Sequence, residues 1–201
     1  MKTKIAISGD LGSGKSTIGR LIVERKGFKY HSGGMIYRGL AEKYNMTPAE
    51  FAKYSEEHPE IDKEIDGELL KISDCDENIV IDSRMAWHFV KNSFKVHLLA
   101  DMKVAAERII NENRGKEQYS SLEDAIEKIK QRKDSENKRY MEKYNVDADK
   151  LNNYDLVIDT TDALPEEIYE LIDSKLDLWL QNKTFDRVWS KKTGTWEATN
   201  E

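Results

Sequence analysis

Residues 9–16 read Gly9-Asp10-Leu11-Gly12-Ser13-Gly14-Lys15-Ser16 and stand between a β-branched run, Lys4–Ser8, and the apolar positions Ile18, Leu21 and Ile22 at helical spacing. No other stretch constrains the fold as tightly. The pattern G-x-x-x-x-G-K-[ST] between a strand and a helix makes a loop whose successive N–H groups converge on a phosphate. The helix that follows presents its free N–H groups and positive dipole end to the same anion. Gly9, Asp10, Leu11, Gly12, Ser13, Gly14, Lys15, Ser16 and Thr17 are therefore the candidate ATP-binding residues, with Lys15 placed to reach the β- and γ-phosphates and Ser16 to ligate Mg2+.

The rest of the chain supplies the sheet that such a loop requires. Phe28–His31, Asn78–Asp82, Phe94–Ala100 and Asp155–Asp159 read as four further strands, nearly continuous in apolar residues, as expected where helices cover both faces of a parallel sheet. Asp82 ends the third strand, where doubly wound sheets place ligand groups, and is the second candidate Mg2+ ligand after Ser16. Between the second and third strands Thr47-Pro48-Ala49-Glu50 opens a helix, so a helical insert is expected over residues 38–76. Asp101 caps another helix ending near Gly115, and Ser120-Ser121-Leu122-Glu123 reads as a capping box for a long polar helix. Pro165-Glu166-Glu167 starts a last helix with apolar positions Ile168, Leu171, Ile172, Leu176, Trp179 and Leu180. Residues 182–201 show no pattern, though Phe185, Trp189 and Trp196 are expected to pack back on the core.

With 201 residues, the chain is expected to be one domain over 1–181 with a tail of unassigned role. A net charge of −6 and the lack of a basic stripe with interleaved aromatics argue against nucleic acid, so bound anions must be captured by local geometry. No apolar run approaches the roughly 18 residues that span a bilayer. Cys75 is the only cysteine and no signal-like segment opens the chain, so a cytoplasmic protein without membrane partners is expected. The four histidines, His31, His58, His88 and His97, lack metal-ligand spacing.

Neither of two nucleotide-hydrolase signatures is present. None of the eleven glycines follows an Asp by three residues, and Asn182-Lys183-Thr184-Phe185 lacks the closing Asp, which excludes a switch GTPase. A transporter ATPase needs more than Ser32-Gly33-Gly34. A small phosphotransferase remains, with ATP as one substrate.

Three further segments carry a resemblance. His31-Ser32-Gly33-Gly34-Met35-Ile36-Tyr37-Arg38 resembles the nucleoside monophosphate kinase segment ending in a phosphate-holding Arg, and Asp82-Ser83-Arg84 resembles the D-G-R of cytidylate kinases. Arg132, Glu136 and Arg139 resemble that family's R-x-x-x-[DE]-x-x-R segment. Over roughly residues 4–175 the chain is similar to the short, archaeal-type cytidylate kinases. The resemblance implies a three-layer α/β P-loop NTPase fold with a five-stranded parallel sheet, the helical insert for the acceptor, and a helical lid over about 112–145. It implies transfer of the ATP γ-phosphoryl group to CMP or dCMP, with nucleotides as partners and a monomer or homodimer as the working unit. Position by position, Lys15, Arg84, Arg132 and Arg139 are the implied catalytic residues, and Ser32, Gly33, Arg38, Arg84, Arg132, Glu136 and Arg139 the implied acceptor contacts. Arg108 and Arg114 are further lid candidates, and Tyr37, Tyr140 and Tyr144 line a base site or pack. Met85 stands where the bacterial enzymes have an Asp, Gly33 where they have a hydroxyl residue, and Ser83 replaces a glycine. Two alternatives stay open, a P-loop kinase for another small acceptor and a catalytically weak nucleotide-binding module. On a helix, residues 132, 136 and 139 share one face, which makes Arg132 and Arg139 the phosphate-facing residues and Lys133 and Lys138 dispensable.

Overall fold

The computed structural model describes residues 2–58, 60–111 and 119–199. Seven strands form one sheet in the order β2-β3-β1-β4-β5-β6-β7. The five expected strands make its parallel centre: β1 (Lys4–Gly9), β2 (Lys29–Ser32), β3 (Ile79–Asp82), β4 (Phe94–Leu99) and β5 (Leu156–Asp159). Residues 182–201 are not patternless. They contain β6 (Val188–Lys192), parallel to β5, and β7 (Thr195–Thr199), antiparallel to β6. Thr193 and Gly194 both take positive φ, 47° and 88°, which matches the twist of a two-residue hairpin. Phe185, Trp189 and Trp196 pack against the main core, and Lys175 sits 3.8 Å from the centre of the Trp189 ring.

The sheet is covered on both faces, and its side chains sort by the period-two rule. Ile5, Ile7, Val96, Leu98, Leu156 and Ile158 face α1 (Lys15–Lys26) and α8 (Pro165–Leu180), meeting Ile18, Ile22, Ile168, Leu171, Ile172 and Leu176. Ala6, Ile79 and Ile81 face the other way, against Leu69 of α4 (Glu60–Asp74) and Ala86 at the start of α5 (Ala86–Phe89). Leu180, counted in the apolar stripe of α8, is exposed at its end. The insert is helical as expected. α2 (Gly33–Lys43), α3 (Pro48–Glu57) and α4 enclose a small core of Leu40, Ala41, Phe51 and Ile61, and Thr47 and Glu50 form the full capping box. Tyr37 packs edge-on to Phe51.

α6 (Met102–Asn111) is capped by the Asp101 carboxylate, which accepts from the N–H groups of Lys103 and Val104. It packs Ala106 and Ile109 on Ala125 and Ile129 of α7 (Leu122–Tyr144). The cap of α7 is Ser121, one residue later than the sequence pattern placed it; its hydroxyl accepts from the Asp124 N–H, and Asp124 takes the Ser120 N–H. Gly115 and Arg114 lie outside the described residues.

His97 in β4 is 5% exposed, and its Nδ1 has no hydrogen-bond partner. Burial pulls its pKa down to about 4, so the folded protein holds a neutral imidazole where the unfolded chain protonates near 6.5. Between those values the unfolded state binds the extra proton, so stability falls as the pH drops from 7 toward 4, by roughly 3 kcal/mol from this group. Urea unfolding at pH 7 and pH 4.5 measures it. The pH-dependent loss should be smaller in His97→Leu, and an equal loss in both proteins contradicts the assignment.

Candidate active site

The phosphate loop takes its shape from two close backbone approaches. Gly9 has φ 141°, and a Cβ there would run into the Leu98 carbonyl; Gly12 has φ 72°, and a Cβ would lie 2.5 Å from the Ala105 carbonyl oxygen. Gly9→Ala should therefore destabilise the fold by on the order of 2–4 kcal/mol, from strain and overpacking together. Urea unfolding checks this, and a midpoint equal to wild type contradicts it.

Gly14 precedes α1 in a left-handed conformation, and no side chain caps the helix. Its first-turn N–H groups are left to an external acceptor, as a triphosphate cradle requires. Lys15 Nζ folds back on the loop, 3.0 Å from the Gly9 carbonyl and also bonded to that of Asp10. Thr17 is exposed on the first turn of α1. The Ser16 hydroxyl donates to Asp82 Oδ2 at 2.6 Å, and the same oxygen accepts from the Tyr30 hydroxyl at 3.1 Å. A hydroxyl and one buried carboxylate are hard oxygen donors, the set that Mg2+ takes beside phosphate oxygens. Tyr30 carries no sequence signal for this role.

Beside the loop, Arg84 pairs with Glu136 of α7, and Glu136 also takes Arg132 Nε at 3.1 Å. The Arg84 Nη2 is buried without a hydrogen-bond partner. The structure thus joins Arg84, Glu136 and Arg132. Arg139 is exposed, with its guanidinium 5.7 Å from the Tyr140 ring centre. Arg38 is exposed on α2. Ser32 caps α2, its hydroxyl accepting from the Met35 N–H. The two departures around the acceptor segment lie side by side: a Cβ on Gly33 would stand 3.1 Å from the Ser83 hydroxyl. Met85 is buried in the turn before α5.

Two expectations need correction. Arg108 does not stand free in a lid; its guanidinium donates to the carbonyls of Gly12, Thr160 and Thr161, fastening the phosphate loop to the turn after β5. Lys133, expected to be dispensable, is not a solvated charge. Its ammonium lies 2.9 Å from Asp10 and 3.2 Å from Asp149. The buried line of α7 runs through Ala125, Ile129 and Tyr140, and at about 100° per residue Arg132 and Lys133 flank it on opposite sides. Farther along α7, Tyr144 donates to Asp66 at 2.9 Å and Lys143 pairs with Asp62, tying this helix to α4 of the insert. Burial pushes the Asp66 carboxyl up and, together with the Asp66 bond, the Tyr144 hydroxyl as well. Among the described residues no helix is long and apolar enough to cross a membrane, and no cluster of three metal-ligating side chains occurs.

A mainly parallel sheet with a G-x-x-x-x-G-K-S loop after β1, flanked by a helical insert and a cation-bearing helix, defines a small P-loop kinase. Residues 4–162 match the Cytidylate kinase-like family. A cytidylate kinase of Pyrococcus furiosus is 37% identical over 175 residues, which cover 86% of this chain and 88% of that protein. The chain belongs to the cytidylate kinase-like family and is a nucleoside monophosphate kinase-like phosphotransferase. An S-adenosylmethionine-dependent nucleotide dehydratase of Lacinutrix mariniflava is 37% identical over all 201 residues, tail included, and the chain spans 40% of its length. In fold the chain is similar to the shikimate kinase of Bacteroides thetaiotaomicron, with a TM-score of 0.61 at 16% identity over 88% of this chain and 99% of that one.

Proposed function

We propose that this protein transfers the γ-phosphoryl group of ATP to CMP or dCMP, giving ADP and the matching diphosphate. The observation that carries this reading is the placement of the Arg84–Glu136–Arg132 group beside the phosphate loop, together with cytidylate kinase relatives over most of the chain. In this reading residues 9–17 hold ATP, and Ser16 and Asp82 hold Mg2+, which when bound neutralises phosphate charge. Phosphoryl transfer asks the protein mainly for position and for cations around the transferred group. Lys15 leaves its own loop carbonyls for the β- and γ-phosphates. Arg84 and Arg38 hold the acceptor phosphate, with Ser32 and the Ser83 hydroxyl beside Gly33. Glu136 orients the acceptor and fixes Arg84 and Arg132, while Arg132 and Arg139 close over the transferring group. Residues 38–76 act as the acceptor-binding insert and 112–145 as the lid, and their closure excludes the competing nucleophile, water.

A second reading, a kinase for another small acceptor, draws on Met85, whose buried thioether offers the base no charged contact. The Lacinutrix relative supports a nucleotide as that acceptor, since a segment like the whole of this chain lies within a nucleotide-modifying enzyme. The test uses ATP labelled at the γ-phosphate. With CMP the label should pass into CDP, and without acceptor free phosphate should form at least about 100-fold more slowly. Label released only as free phosphate, with or without CMP, contradicts the proposal.

A further inference from the structure

We propose that Lys133 is a positioning residue of the ATP site. Its ammonium neutralises the Asp10 carboxylate inside the phosphate loop, which lets the loop accept a polyphosphate and docks α7 on it.

A carboxylate at the second place of an anion-binding loop works against the loop's purpose, because it repels the phosphates that the N–H groups and Lys15 attract. The main chain of Asp10 is fixed from both sides. The Asp10 N–H donates to the Leu98 carbonyl at 3.0 Å, and its carbonyl accepts from the Ser13 hydroxyl at 2.8 Å and from Lys15. Its side chain lies 19% exposed beside Lys133, where its charge is less screened than at a free surface. Lys133 meets it at 2.9 Å.

The lysine is itself held from two sides. Asp149, just beyond the end of α7, takes the ammonium at 3.2 Å with one oxygen and the Asn137 amide at 2.6 Å with the other. Burial opposes the Lys133 charge, and the two carboxylates more than offset it, so the residue stays protonated. His97 also faces Asp10 but is neutral, Lys15 bonds to the Asp10 carbonyl, and Arg84, which lines the same cavity, is paired with Glu136. Lys138 on the same helix differs in every respect, being 78% exposed and 3.9 Å from Glu142, and serves as the control. Asp10 and Lys133 are 123 residues apart in a chain whose motif leaves position 10 open, so no sequence pattern links them.

The inference rests on residues 9–16 as the ATP cradle and is independent of the acceptor. The probe is AMP-PNP with Mg2+, titrated calorimetrically into the full chain. Lys133→Ala should weaken binding about tenfold or more, the uncovered charge now facing the phosphates. Asp10→Asn in the same protein should restore binding to within about threefold of wild type, which a lost packing contact would not do, and the Lys133→Ala deficit should shrink at high salt. Lys138→Ala should bind as wild type does. Unchanged binding by Lys133→Ala, or a double variant as weak as the single one, overturns the proposal while the ATP reading stands. A wild-type chain that binds no AMP-PNP overturns the cradle reading and this inference with it. Thermal melts of all four proteins identify any variant that fails to fold, and the double variant, lacking the same ion pair, then carries the comparison.

Discussion

Lys15→Ala is expected to lower kcat by roughly 30- to 1000-fold, about 2–4 kcal/mol of transition-state stabilisation, while the protein stays folded. The ammonium bonds to the carbonyls of Gly9 and Asp10, acceptors that the proposed mechanism exchanges for phosphate oxygens. Truncation removes the cation proposed for the β- and γ-phosphates and leaves Gly9, Gly12 and the fastening by Arg108 in place. The melting temperature should therefore move by no more than a few degrees. Steady-state kinetics with saturating acceptor and a thermal melt check the pair of expectations. Activity within threefold of wild type removes Lys15 from the mechanism.

Arg84→Ala should cost a similar amount by a different route. Arg84 pairs with Glu136, a partly buried carboxylate whose other cation is Arg132. Removing Arg84 deletes the proposed acceptor-phosphate donor and leaves Glu136 under-compensated, so kcat/KM for the acceptor should fall by roughly two to three orders of magnitude. AMP-PNP affinity should hold, since the ATP loop is untouched. Arg84→Lys keeps a charge but not the planar fork and should recover only part of the loss. Equal losses for ATP and acceptor would place Arg84 on the donor side instead. Arg132→Ala, half-exposed and sharing Glu136, should follow the same pattern with a smaller loss.

The two arginines show what was legible in the sequence and what was not. The phosphate loop was readable because its chemistry is local: Gly9 to Ser16 sit in one turn between a strand and a helix, and the glycines occupy the positive-φ and close-approach positions. The five central strands were readable because parallel strands buried on both faces are nearly continuous apolar runs, as in Ile79–Asp82. The hairpin at the end was not. Its strands alternate Trp189 and Trp196 with lysines, threonines and glutamate, and its turn is Thr193-Gly194, a weaker signal than Asn-Gly.

On α7 the periodicity gave the right helix and an incomplete inner face. Grouping residues 132, 136 and 139 follows from spacing, yet helix phase is set by what the apolar residues Ala125, Ile129 and Tyr140 bury. That phase turns Lys133 onto Asp10 and leaves Arg139 exposed. Tyr30, and the closeness of Ser83 to Gly33, carry no sequence signal for a related reason. Their relevance lies in neighbours distant in sequence, the carboxylate of Asp82 for one and the empty side of Gly33 for the other.

The central claim is the acceptor, and kcat/KM measured across CMP, dCMP, UMP, AMP and GMP with coupled ADP detection tests it most directly. CMP and dCMP should lead the series by at least about tenfold over the purine nucleotides, a margin that contacts to one base edge supply. No turnover of CMP and dCMP beside efficient turnover of another acceptor would contradict it.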